Sequence, residues 1–309
     1  MKLTMHIGLH KTGTTALQNA CRDGSAMLAD AGVHYSTAGF STMGTAQHLA
    51  LSGSLRGSAP LQESTDVLLR MRDENPDAGT MLVSSEDLST FFGLPAFESK
   101  ARALLGWNAE NFDDPEYFCV IRDELSLIRS IVIQTVEGEG FPRDGRQFVK
   151  QLAENLLGKC ERIASTVGPA LRVVQYEKIP RDTYSSSLLS VMLGKELVVG
   201  ERQANVTANK DILRTIFGSN LRRFFMNTLD AGHPYANEVN VAWSEMMNDL
   251  HMETGRKARL LDAFTEWLDR TIEEQVAFQD EARSLTRIFE GSLVDIPAPP
   301  AAGQQQDAV

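Results

Sequence analysis

Four short apolar runs limit what this chain can fold into: LTMHIGL (3–9), TMLVSS (80–85), EYFCVI (116–121) and LRVVQY (171–176). Each is rich in Val, Ile, Leu, Met or aromatic residues and reads as a buried strand. Helical periodicity follows them. After the first run, residues 15–31 place Leu17, Ala20, Leu28 and Ala31 on one stripe. After the third, Leu125, Ile128, Ile131, Val132 and Thr135 recur at helical spacing. Strand followed by helix, repeated, predicts βαβ units. The expected fold is α/β: a P-loop-like parallel β-sheet of four to five strands flanked by helices.

From about residue 208 the pattern changes to amphipathic helices. In RKARLLDAFTEWLDRTIEEQVAFQ, Leu260, Leu261, Phe264, Trp267, Leu268 and Ile272 form an apolar stripe that reads as core. The expectation is a single α/β domain over 1–294, with a helical C-terminal cap at about 208–294. The segment 295–309, DIPAPPAAGQQQDAV, has no apolar periodicity and is expected to be a disordered tail. Between the first two strands, residues 36–60 are rich in Gly, Ser and Thr, and read as a long loop with a short helix near His48.

The first strand ends in HIGLHKTGTT (6–15), where one lysine is surrounded by small hydrogen-bonding residues. Backbone N–H groups at a helix start, neighbouring hydroxyls and an ammonium together suit a phosphate or sulfate. Gly8 and Gly13 have the spacing of the nucleotide-triphosphate loop G-x-x-x-x-G-K-[ST], but Thr14 stands where the lysine belongs, and Lys11 lies two residues before Gly13. A threonine-capped helix start would also account for KTGTT. With 41 acidic against 30 basic residues the net charge is −11, so any anion site must be local, and nucleic acid is not an expected partner.

A second element favours the anion. CVIRDELSLIRS sets Arg122 at the carboxyl end of the third strand, with Ser130 on the helix after it. Ligands of open α/β sheets collect at strand carboxyl ends, so Arg122 and Lys11 should face one crevice. Taken singly, Arg122–Asp123 is a surface pair and Ser130 a helix filler.

Together these motifs resemble the PAPS-dependent sulfotransferases. HIGLHKTGTTALQ resembles that family's loop for the 5′-phosphosulfate, and the spacing of Arg122 and Ser130 resembles its 3′-phosphate site. LRVVQYEKI (171–179) and ERQANVTAN (201–209) resemble later segments of the family. The glycine-rich Arg-Lys-Gly element of its eukaryotic cytosolic members has no counterpart here, and Arg202 is the candidate to complete the 3′-phosphate pocket. The resemblance implies 3′-phosphoadenosine 5′-phosphosulfate (PAPS) as co-substrate, bound by His10, Lys11, Thr12, Gly13, Thr14, Thr15, Arg122, Ser130 and Arg202. Lys11 would neutralise the leaving group, and a modest-sized acceptor would take the sulfuryl group on a hydroxyl or an amine. Sulfuryl transfer demands no metal, and the sequence has no His/Cys/Asp cluster with metal-ligand spacing.

The acceptor needs a base, and two residues qualify. Glu86 follows the second strand directly, and His48 lies in the long loop. Glu86 could instead be a helix N-terminal acid, and His48 a partly buried loop histidine. His6 should point into the sheet, with His10 at the loop mouth. Two rival readings stay open: a P-loop kinase with Asp87 on magnesium, and a nucleotide-binding protein without catalysis that acts through its long helices. Three cysteines without a CxxC pair, and no apolar stretch long enough to span a membrane, predict a cytoplasmic protein.

Overall fold

The structure, a computed structural model, describes residues 1–40, 46–139, 145–201, 266, 268–274 and 284–296. Its centre is a sheet of five parallel strands: β1 (Lys2–His6), β2 (Val33–His34), β3 (Thr80–Ser84), β4 (Asp113–Ile121) and β5 (Leu171–Gln175), in the order β2-β3-β1-β4-β5. All four apolar runs are strands. β2 has only two residues, too few for any periodicity to announce it.

The helices among the described residues include α1 (Thr14–Asp23), α2 (Ser25–Asp30), α3 (Leu49–Arg56), α4 (Leu61–Asp73), α5 (Asp87–Gly93), α6 (Glu98–Asn111), α7 (Glu124–Glu139), α8 (Gly145–Val167) and α9 (Tyr184–Leu193). The one helix expected over 15–31 is two. Gly24 stands between them at φ −94° and ψ 17°, outside the helical region, where the high entropic cost of helical glycine makes a break cheap. The short helix expected near His48 is α3, with His48 as its N-cap.

Leu3, Met5 and Ile7 of the β1 segment are fully buried, as are Met81, Leu82 and Val83 on β3. Burial of each such side chain contributes about 1.5–3 kcal/mol, and Tyr117 to Ile121 on β4 are buried alongside them. β4 starts earlier than its apolar run, and its register with β1 slips between Lys2–Asp113 and Thr4–Glu116. Pro115, which has no N–H to give the ladder, falls at that irregularity.

Register decides what meets at the carboxyl ends. His6 lies opposite Ser84 on one side and Phe118 on the other. The loop after β1 is therefore flanked by the residues after β3 and after β4.

The chain divides into two compact units. One comprises Met1–Asp123, Lys159–Ala204 and Leu285–Val309; the other comprises Glu124–Gly158 and Asn205–Ser284. The first holds the sheet, and its chain is packed through Ile296, with Val294 N–H donating to Val173 O at 2.9 Å. In the second, Leu127, Ile128 and Val132 of α7 are buried while Leu125 is exposed. Most of the expected cap over 208–294, and residues 297–309, lie outside the described residues. Of the apolar stripe, Leu268 and Ile272 are buried, as expected of core. No helix among the described residues is long and apolar enough to cross a membrane.

Candidate active site

The loop between β1 and α1 is built around two glycines. A Cβ on Gly8 would stand 2.7 Å from the His6 ring, and one on Gly13 would stand 2.7 Å from the Tyr184 ring. Gly13 also sits at φ +80°, the left-handed region that suits glycine. Lys11 shares that region at φ 65° without glycine's freedom, a conformation costing on the order of 1–3 kcal/mol that the surroundings must impose.

Those surroundings act on the loop's carbonyls. Thr12, fully buried, donates its hydroxyl to Leu9 O at 2.7 Å. Tyr184, at the start of α9, donates its hydroxyl to Thr12 O. Arg122 Nη1 reaches Lys11 O at 3.5 Å, the outer limit of a hydrogen bond. Burial pushes the Tyr184 phenol far up, so it stays a donor. With three carbonyls tied back, the N–H groups of Lys11, Thr12 and Gly13 make no hydrogen bond among the described residues, and those of Thr14 and Thr15 open a helix. The result is a run of main-chain donors in the loop that carries Lys11, an arrangement that suits an anion.

Arg122 follows β4 directly, so the structure brings it to the Lys11 loop as its strand position predicted. Its guanidinium carbon lies 5.2 Å from the centre of the Tyr176 ring, and Tyr176 packs on Tyr184 at 5.6 Å. Glu177 accepts from Asp123 N–H at 3.0 Å. The Tyr-Glu segment after β5 therefore carries the Arg122 side of the loop. Ser130 belongs to α7 in the second unit, where its hydroxyl donates to Ser126 O at 2.8 Å. Arg202 lies outside the described residues.

Glu86 is the N-cap residue of α5 but makes no side-chain cap hydrogen bond. Its Oε2 is 2.8 Å from Nδ1 of His10. Burial pushes the carboxyl up, yet the hydrogen bond and charge of His10, helped by Thr14 and His6, outweigh it and hold the group below its ordinary value. The Thr14 hydroxyl is near enough to aid Glu86 but completes no hydrogen bond of full geometry. Asp87, the magnesium ligand of the kinase reading, pairs instead with Arg56 at 2.6 Å.

His48 closes the long loop as the N-cap of α3, and its surroundings correct the expectation that it serves as a base. It is fully buried, with Tyr35 and Phe40 packed on its ring at 4.9 and 5.1 Å. Its Nδ1 accepts from Ser84 N–H at 3.0 Å and its Nε2 donates to Ser36 O at 3.0 Å, so neither nitrogen is left for an acceptor. Burial lowers it to about 4, and it stays neutral. It pins the long segment after β2 to β3. His6 points into the sheet as expected, with Nδ1 2.9 Å from Ser84 Oγ and its ring lowered by burial to about 4.

Two residues that sequence reasoning passed over shape the loop. Tyr184 holds it through Thr12 O and packs beside Gly13. Glu201 in turn holds Tyr184's helix: its carboxylate accepts from Ser185 N–H at 3.0 Å and from Ser186 N–H at 2.8 Å, the first-turn donors of α9. Nothing in the local sequence links residue 184 to residue 12.

No protein-family model and no curated protein matches the chain. Among solved structures, it is similar to a sulfotransferase from Alicyclobacillus acidocaldarius, with 13% identity, a TM-score of 0.38, and 72% of this chain and 93% of that chain covered. It is also similar to the sulfotransferase domain from the curacin biosynthetic pathway, with 12% identity, a TM-score of 0.33, and 90% and 99% covered. Likeness at that level carries no chemistry across, so function has to be read from the residues of the site.

Proposed function

We propose that this protein is a sulfotransferase that moves the sulfuryl group of PAPS to a hydroxyl, or less readily an amine, of a modest-sized carbohydrate, lipid or other small acceptor. One observation carries this reading. Lys11 is held in a left-handed turn among main-chain donors with three loop carbonyls tied back, and Arg122 lies against the same loop. A loop of that kind suits a 5′-phosphosulfate, and a guanidinium at the next strand end suits a second anionic group such as a 3′-phosphate.

In this scheme the N–H groups from Thr12 to Thr15 hold the 5′-phosphate, and the Thr15 hydroxyl adds a donor. As the bond from sulfur to the bridging oxygen breaks, Lys11 neutralises the charge that develops there. The acceptor oxygen forms its bond to sulfur and releases its proton on the Glu86 side of the loop. Positioning and charge neutralisation supply most of the catalysis, as in phosphoryl transfer, and the scheme calls for no metal.

The test is thermal unfolding with adenosine 3′,5′-bisphosphate or AMP, followed by a screen of hydroxyl acceptors with labelled PAPS. The bisphosphate should raise the melting temperature well above the shift given by AMP, because stabilisation follows the logarithm of occupancy. Equal shifts would refute the 3′-phosphate site, and no shift with either would refute the nucleotide reading.

A further inference from the structure

The pair formed by His10 and Glu86 gives the base a more definite identity. The two side chains are 76 residues apart in sequence and meet through one hydrogen bond of 2.8 Å. The imidazole is the more open of the two, its side chain 42% exposed against 22% for the carboxylate. Nδ1 is taken by Glu86, and Nε2 makes no hydrogen bond among the described residues. A carboxylate on Nδ1 selects the tautomer in which Nδ1 carries the proton and Nε2 is a bare acceptor.

Glu86 itself is poorly placed for the task. Its Oε2 is engaged by His10, and the partner that engages it also holds the carboxyl below its ordinary range, which weakens it as a base. His10 directly precedes Lys11, so their Cα atoms are about 3.8 Å apart across one peptide. Base and cation thus leave the same turn of backbone, anchored by the Thr12 hydroxyl on Leu9 O.

We infer that His10 Nε2 takes the proton of the acceptor, while Glu86 is a positioning residue that aims the ring and steadies the imidazolium. This rests on the sulfuryl-transfer reading above. The acceptor's O–H bond breaks to give its proton to Nε2, and its oxygen bonds to sulfur. The bond from sulfur to the bridging oxygen then breaks, and the electron pair leaves on the 5′-phosphate beside Lys11. The imidazolium returns its proton to solvent through the exposed edge of the ring.

The experiment uses the full-length protein with PAPS as donor and water as the acceptor, which removes dependence on the natural acceptor. Affinity for adenosine 3′,5′-bisphosphate is measured in parallel. His10→Ala should lower PAPS hydrolysis by roughly 10²-fold, a typical general-base contribution, with bisphosphate affinity changed less than about threefold. Imidazole added to His10→Ala should restore turnover in proportion to its concentration, and should do nothing for Glu86→Gln, whose imidazole is present but loosely aimed. A structural role for His10 would not produce that rescue. Undiminished hydrolysis by His10→Ala, or a defect that imidazole does not touch, overturns the assignment while leaving the nucleotide site intact. Nitrogen-15 spectra supply a readout free of turnover: wild type should show His10 protonated at Nδ1, and the opposite tautomer would also overturn it. Failure of wild type to bind the bisphosphate would instead refute sulfuryl transfer and the base with it.

Discussion

Mild acid should loosen the sheet through two histidines that never reach solvent. His6 and His48 are fully buried, and burial lowers each from 6.5 to about 4. In the unfolded chain each binds a proton as pH falls through about 6.5, whereas in the folded chain each stays neutral down to about 4. The unfolded state therefore carries more protons across that window, so stability rises with pH within it and is lost on acidification. Each group contributes at most about 1.4 kcal/mol per pH unit, and between about pH 6.5 and pH 5 the pair should remove roughly 3 kcal/mol. Glu86, displaced downward, adds a loss of the same sign only where an unfolded glutamate protonates, near 4.5 and below. Urea unfolding at pH 7, 6 and 5 measures the slope. His48→Gln should destabilise at every pH, because it disturbs the pins to Ser84 and Ser36, while removing about half of the slope between about pH 6.5 and pH 5. Stability that does not change across that range, or a slope that survives His48→Gln unaltered, would refute the reasoning.

Gly13→Ala should destabilise by about 1–2 kcal/mol from its left-handed backbone alone, more because the new methyl meets the Tyr184 ring, and bisphosphate binding should go with it. A melting curve with and without ligand checks both effects. Tyr184→Phe removes the buried donor to Thr12 O and should cost about 1–3 kcal/mol by denaturant titration, with weaker bisphosphate binding as the loop relaxes. Arg122→Ala should abolish most of the preference for adenosine 3′,5′-bisphosphate over AMP, a charge-assisted contact worth about 1.5–3 kcal/mol, as read by calorimetry. Chelation with EDTA should leave PAPS turnover unchanged; a requirement for Mg²⁺ together with ATP turnover would favour the kinase reading.

The sheet was legible because a strand buried on both faces writes itself as an apolar run, and all four runs became strands. β2 was not, since two residues carry no period, and the break at Gly24 was hidden inside a stripe that continues across it. The loop and Arg122 were legible for a different reason: in a parallel sheet, the residue after each strand has its place fixed by strand order, so Lys11, Glu86 and Arg122 could be assigned to one edge before any side chain was seen. Side-chain partnership has no such rule. His48 looked like a loop histidine because its burial comes from Tyr35 and Phe40 and from the pairing of its segment with β3, none of which leaves a local pattern. His10 read as a loop-mouth residue on the nucleotide, because the partner that engages its ring, Glu86, follows another strand. The two histidines differ in the fold: the one in the long loop is locked into the sheet, and the one beside the lysine keeps a ring edge open to solvent. What separates them is whether both nitrogens are engaged by protein or only one, and that condition belongs to the folded chain alone.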